Sequence, residues 1–277
     1  MIITNSFVML NYPKTGSSFA REVIKAIYDR YPRRFFRRRV CQELILPNIR
    51  HEGPPDQHGT YSQIPPQYRR LEVVTIVRDP VRRFISGFEF RHWAHHPPCE
   101  LGEIKKHFPG FPDLSVEQYV EFNQWIMESG FVAGGCTRGD IGEQTVQFIQ
   151  LFFRDPQRVL LAMTDEYIDS DSWKGDIGQI TFLRQDRLNH ELIGFLRRQG
   201  FTRKETAFIE QHERVNVTRS PASEQRQELS TAVVDRIKWR ERLLFRMLDG
   251  LGVSFPKANE VDGLAVDGHQ AQCNDRD

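Results

Sequence analysis

Apolar residues fall in short blocks along the chain, and their spacing changes from block to block. Residues 7–10 are a compact run of strand formers. After a loop holding Pro13, Gly16 and two serines, the apolar positions Phe19, Val23, Ile24 and Ile27 recur at helical spacing. The order strand, loop, helix repeats at residues 71–77 (LEVVTIV), which stop at Arg78-Asp79-Pro80 and lead into Phe84, Ile85 and Phe88. Two such units predict a parallel sheet with helices on its faces. Further strands are predicted at 158–163 (RVLLAM) and 180–183, and helices over 115–128, 141–153, 187–199 and 223–248. Residues 40–67, rich in proline, and 91–112 (HWAHHPP through KKHFPGFP) read as long surface excursions, each following a helix that starts at a candidate anion loop. Residues 1–256 read as one domain, and the polar, aperiodic residues 257–277 as a flexible tail.

Composition narrows the class. The chain has 277 residues, 39% hydrophobic and 27% charged, as expected of a soluble protein that buries a sizeable core. No run approaches the ~20 apolar residues that cross a bilayer, and the first residues lack an export-signal pattern, so a cytoplasmic protein is expected. Cys41, Cys99, Cys136 and Cys273 form no CxxC pair, which argues for reduced thiols over a zinc knuckle or disulfide framework. The net charge of +1 is unevenly placed: residues 1–100 hold 16 Lys/Arg against 9 Asp/Glu, the remainder 22 against 28. The basic part should face something anionic.

The two strand-to-helix turns carry the candidate chemistry. A helix N-terminus presents unpaired N–H groups and partial positive charge, so Pro13-Lys14-Thr15-Gly16-Ser17-Ser18 reads as an anion cradle. Gly16 permits close backbone approach, Lys14 brings a mobile charge, and Thr15, Ser17 and Ser18 bring hydroxyls. Lys14 precedes the glycine, so this is not the GxxxxGK[ST] phosphate loop. In the second turn Arg78 leaves the strand end with a planar donor fork, Pro80 suits the first helical position, and Ser86 lies about two turns on. Adjacent parallel strands open into one crevice, where a ligand with two anionic groups would bridge both loops.

The pair PKTGSSF and VRDPVRRFISGF resembles the two nucleotide-binding motifs of the sulfotransferases that use 3′-phosphoadenosine 5′-phosphosulfate. The resemblance implies a three-layer fold with a central parallel sheet flanked by helices, a sulfotransferase architecture like that of P-loop NTPases. It makes Lys14, Thr15, Gly16, Ser17 and Ser18 the 5′-phosphosulfate loop, and Arg78 and Ser86 the 3′-phosphate ligands. FLRQDRLNHEL and VNVTRSP are similar to later family segments near the nucleotide, which adds Arg184, Arg219 and Ser220. The implied product is adenosine 3′,5′-bisphosphate.

Sulfuryl transfer moves a group of low charge, so positioned cations suffice and no metal is expected. The acceptor hydroxyl needs a base. His58, in HGTYSQIP, resembles the histidine of carbohydrate-type relatives and is the candidate, with Lys14 as the second catalytic residue. His51, Glu52, Glu89 and His92 compete for the role of base. Trp93, beside His92 and His95, is a candidate acceptor contact. The acceptor expected is a saccharide or small metabolite, with no specific nucleic acid. Two other readings stay open: a kinase or nucleotidase acting on another adenine nucleotide, and an idle polyanion-binding protein using the run Arg33 to Arg39.

Overall fold

The computed structural model describes residues 1–34, 37–48, 54–130, 138–210 and 229–256. Five strands form the main sheet: β1 (Ile2–Thr4), β2 (Phe7–Met9), β5 (Cys41–Glu43), β6 (Glu72–Val77) and β7 (Ile180–Arg184), in the order β5-β1-β2-β6-β7. A separate two-stranded ribbon pairs β3 (Arg33–Arg34) with β4 (Arg37–Arg38). The sheet is mixed. β2, β6 and β7 are parallel, as expected, whereas β1 runs antiparallel to both β2 and β5. The wholly parallel sheet expected from the sequence is therefore corrected at one edge, because β1 and β5 are three-residue strands too short to show a period.

Alternation along the strands produces the two sides of the sheet. Phe7, Met9, Val74, Ile76 and Leu183 pack on one face against α1 (Ser17–Arg30) and α10 (Leu188–Arg198). Val8, Leu10, Val73 and Val77 pack on the other against α6 (Glu143–Phe152) and α13 (Arg242–Gly250), with Trp173 of α9 (Trp173–Asp176) buried among them. The central sheet is thus flanked by helices on both faces.

The remaining helices begin where local chemistry starts them. α2 (Pro80–Phe90) has Asp79 as N-cap, accepting the Arg82 N–H at 2.9 Å, and proline at its first position. α5 (Val116–Glu128) opens with a reciprocal Ser115/Gln118 capping box. The expected strand at 158–163 is instead helix α7 (Pro156–Ala162). Asp155 caps the Arg158 N–H at 3.1 Å and Pro156 fixes the first turn, which outweighs the strand preference of Val159, Leu160 and Leu161. Leu161 is 86% exposed, which a core strand would not leave. α8 (Asp165–Asp169) and α11 (Arg203–Thr206) are single turns. The expected helix 223–248 is divided at Glu241 into α12 (Thr231–Arg240) and α13, and its first residues, 223–228, lie outside the described ones.

Neither long excursion is merely surface. Residues 40–67 supply β5, a bridge between Leu46 and Asp56, and the buried residues Thr60 and Ile64. Residues 91–112 form α3 (His92–His95) and α4 (Leu101–His107), and close over a cluster of Trp93, Phe111, Tyr119 and Phe122 with Ile104 among the rings. Phe122 is fully buried there, within 5.4–6.5 Å of five other rings. Phe122→Ala should cost about 3–5 kcal/mol of stability, read as a fall in thermal midpoint.

Candidate active site

β2 and β6 are parallel neighbours, so their C-terminal ends release both candidate loops at the same edge of the sheet. The first loop, 12–16, is shaped by two left-handed residues, Lys14 at φ 65° and Gly16 at φ 87°. A non-glycine residue in that region carries strain, a feature concentrated at ligand-binding turns. A Cβ at Gly16 would also lie 3.1 Å from Leu188 Cδ2, so the glycine lets the loop pack against the start of α10.

The hydroxyls of this loop are divided between scaffold and surface. Thr15 Oγ1 and Ser17 Oγ both donate inward to the Tyr12 carbonyl, at 2.8 and 3.0 Å. They fold the loop instead of pointing into the crevice. Ser18 is half-buried in the first turn of α1, whose leading N–H groups have no intrahelical acceptor. Gly16 is the N-cap residue and offers no side chain to them.

The second loop supplies cations. Arg78 follows β6; its Nη1 donates to the Lys14 carbonyl at 3.4 Å, and its Nε is buried without a hydrogen-bond partner. Burial pushes its pKa below the ordinary arginine value; Glu89 and Asp79 oppose the shift, and Arg82 and Arg83 add to it. Lys14 Nζ rests 3.6 Å from the centre of the Phe90 ring. Its pKa falls to about 8, first through burial and then through Arg78, with Glu89 opposing. The cations Lys14, Arg78, Arg82 and Arg83 thus act on one another here, with the carboxylates Asp79 and Glu89 opposing them. Ser86 is half-buried on α2, eight residues after Arg78.

Arg83, quoted within the second motif but given no role by sequence reasoning, ties the loops together. It is buried, and its Nε donates to the Pro13 carbonyl at 2.9 Å. Its Nη1 and Nη2 donate to Gln144 Oε1 and Gln147 Oε1 at 3.0 and 2.5 Å, and its guanidinium lies 4.1 Å from the centre of the Tyr12 ring. The signal was present in the spacing: Arg83 is the third residue after Pro80, one turn into α2.

His58 comes to the same edge. Its Nδ1 lies 2.9 Å from the carbonyl of Asn11, and its N–H donates to Asp56 Oδ1 at 2.7 Å. A carbonyl can only accept, so Nδ1 carries the proton and Nε2 is the basic nitrogen. Asn11 is buried and donates to the Gln57 carbonyl at 3.0 Å, fixing this segment three residues before Lys14.

Other expected residues sit differently. Arg184 ends β7 opposite Val77, beside the second loop, but its fork is closed on Asp186 at 3.1 and 2.5 Å. That ion pair raises its pKa and takes two of its five N–H donors. Trp93 is buried against Phe88, Phe111 and Tyr119, so it is core and not an acceptor contact. Phe90, 54% exposed over Lys14 and stacked on His92, holds the open position instead. Arg39 is no solvated patch residue: its Nη1 pairs with Glu205 at 2.6 Å and its guanidinium lies on Phe201. His51, Glu52, Arg219 and Ser220 lie outside the described residues.

Among the described residues no group of three or more His, Cys, Asp or Glu side chains is arranged to hold a metal ion, and no helix is long and apolar enough to cross a membrane. Among curated proteins none matches the chain. The model of a family described as the sulfotransferase family matches residues 2–245, a span that takes in both loops, His58 and the sheet that carries them. The chain belongs to the sulfotransferase family.

Proposed function

We propose that the protein transfers the sulfuryl group of 3′-phosphoadenosine 5′-phosphosulfate to a hydroxyl of a saccharide or small metabolite. The observation that carries this reading is Arg78. A half-buried guanidinium whose Nε is shut off from solvent without a partner, beside a lysine whose charge is already disfavoured, is suited to a bound anion. A nucleotide with phosphates at both the 3′ and 5′ positions supplies one anion to each loop. The architecture in this reading is that of a P-loop-like fold.

The first-turn N–H groups of α1 and the Lys14 ammonium would hold the 5′-phosphosulfate, with Thr15, Gly16 and Ser17 shaping the loop and Ser18 at its rim. Arg78 and Ser86 would hold the 3′-phosphate. Arg219 and Ser220 join them on the motif match alone, while Arg184 stays paired with Asp186. The donor brings a sulfuryl group on a good leaving phosphate. The chain's own residues then do two things: Lys14 faces the charge that grows on the 5′-phosphate, and His58 Nε2 takes the proton of the acceptor hydroxyl. Phe90 gives the acceptor side an aromatic face suited to a sugar ring. A cytoplasmic location belongs to the same reading, supported by the scattered cysteines, of which Cys41 and Cys99 carry free thiols.

Arg78→Ala should weaken adenosine 3′,5′-bisphosphate binding by roughly 100-fold in calorimetry, with the thermal midpoint little changed; wild-type affinity in this variant would refute the assignment. His58→Asn should lower the rate of sulfuryl transfer by about 10²-fold or more while nucleotide affinity holds. The pH dependence has a definite sign. Lys14 begins to lose its proton near pH 8 in the free protein, and a bound phosphate would raise that value. Nucleotide binding above pH 8 should therefore take up a proton and weaken as pH rises, and Lys14→Met should abolish both effects when titrations are run in buffers of different ionisation enthalpy.

A further inference from the structure

Both loops meet one buried residue that the chemistry itself does not use. Gln144, in the first turn of α6, touches each of them. Its backbone carbonyl accepts from Tyr12 Oη at 3.4 Å, while its side-chain Oε1 accepts from Arg83 Nη1 at 3.0 Å and its Nε2 donates to the Pro80 carbonyl at 2.9 Å. Tyr12 belongs to the first loop; Pro80 and Arg83 belong to the second.

The orientation of Gln144 is imposed from behind. Glu241, at the joint between α12 and α13, is buried and 97 residues away in sequence. Its carboxylate accepts from Gln144 N at 3.1 Å, from Thr145 N at 2.9 Å and from Thr145 Oγ1 at 2.7 Å. These amides open α6 and have no acceptor within the helix. Gly142 makes the approach possible, since a Cβ there would fall 2.1 Å from the Glu241 carboxyl carbon.

Stability alone is a poor reason for a carboxylate at this place. Burial pushes the Glu241 pKa up, which means that keeping the charge is costly even with its hydrogen bonds. Buried ionic groups can often be replaced by apolar ones without loss of stability. What the carboxylate adds is direction: three donors converge on two oxygens, which leaves the first turn of α6 one orientation.

We propose that Glu241 is a positioning residue for the nucleotide site: it anchors the first turn of α6, and through Gln144 it sets the separation of the two anion-binding loops. This rests on the two-loop reading of the site. A ligand bearing both phosphates reads the separation; a ligand bearing only the 5′-phosphate does not.

The test compares adenosine 3′,5′-bisphosphate with adenosine 5′-monophosphate by calorimetry on wild type, Glu241→Gln and Gln144→Leu. The ratio of the monophosphate to the bisphosphate dissociation constant reports what the second loop contributes. A variant that merely lowers the folded fraction weakens both ligands alike and leaves the ratio unchanged. The expected result is a fall in the ratio of about tenfold or more in both variants, with the monophosphate affected much less. Gln144→Leu keeps the Glu241 anchor on the α6 amides and carries the test if Glu241→Gln does not fold. An unchanged ratio in Gln144→Leu overturns the positioning role. A wild type that does not prefer the bisphosphate overturns the two-loop reading instead.

Discussion

A guanidinium taken out of water needs fixed acceptors for its N–H groups, and Arg83 finds three of them on two separate parts of the chain. One is the carbonyl of Pro13 at the end of the first strand-loop; the others are side chains of α6, on the far side of the sheet from α1. The Tyr12 ring covers the cation. Satisfying this one charge fixes how the 12–16 loop lies against α2, and so where Lys14 and the N-terminus of α1 stand relative to Arg78. The edge of the site can then carry strain at Lys14 and a buried, unpartnered Arg78 Nε, because the interior behind it has little freedom.

The division between inward and outward groups follows from the same constraint. Thr15 and Ser17 look like ligands in the sequence, yet their hydroxyl protons go to Tyr12 and hold the turn. What remains for an anion is backbone N–H, which a helix start supplies without side chains, together with the charges of Lys14 and Arg78. His58 reaches the same edge through a different device, a single ring nitrogen on the Asn11 carbonyl, which sets its tautomer.

Much of this was legible in the sequence where the signal was local. The 71–77 run became β6, and the two loops emerged at strand ends because apolar runs, prolines and Asp79 act over a few residues. The failures have local causes too. At 158–163 the apolar run outweighed an Asp155-Pro156 start, although that pair is a helix signal. β1 and β5 are too short for alternation to register. At 91–112 the many prolines and glycines read as loop, while the aromatic residues between them find partners on α5 that only the folded chain supplies. The site divides in the same way. Lys14, Arg78 and His58 stand in motifs with a stated chemistry, whereas the reach of Glu241 to α6 depends on where segments 96 residues apart meet. No spacing rule carries that information.

The central claim is that two neighbouring strand ends bind the two phosphates of one nucleotide. A crystal structure of the protein with adenosine 3′,5′-bisphosphate tests it most directly. The account predicts the 3′-phosphate on the Arg78 guanidinium and the 5′-phosphate over the first turn of α1, with Lys14 drawn off the Phe90 ring towards it. A nucleotide bound elsewhere on the chain, or bound here with Arg78 Nε still unpartnered, would contradict it.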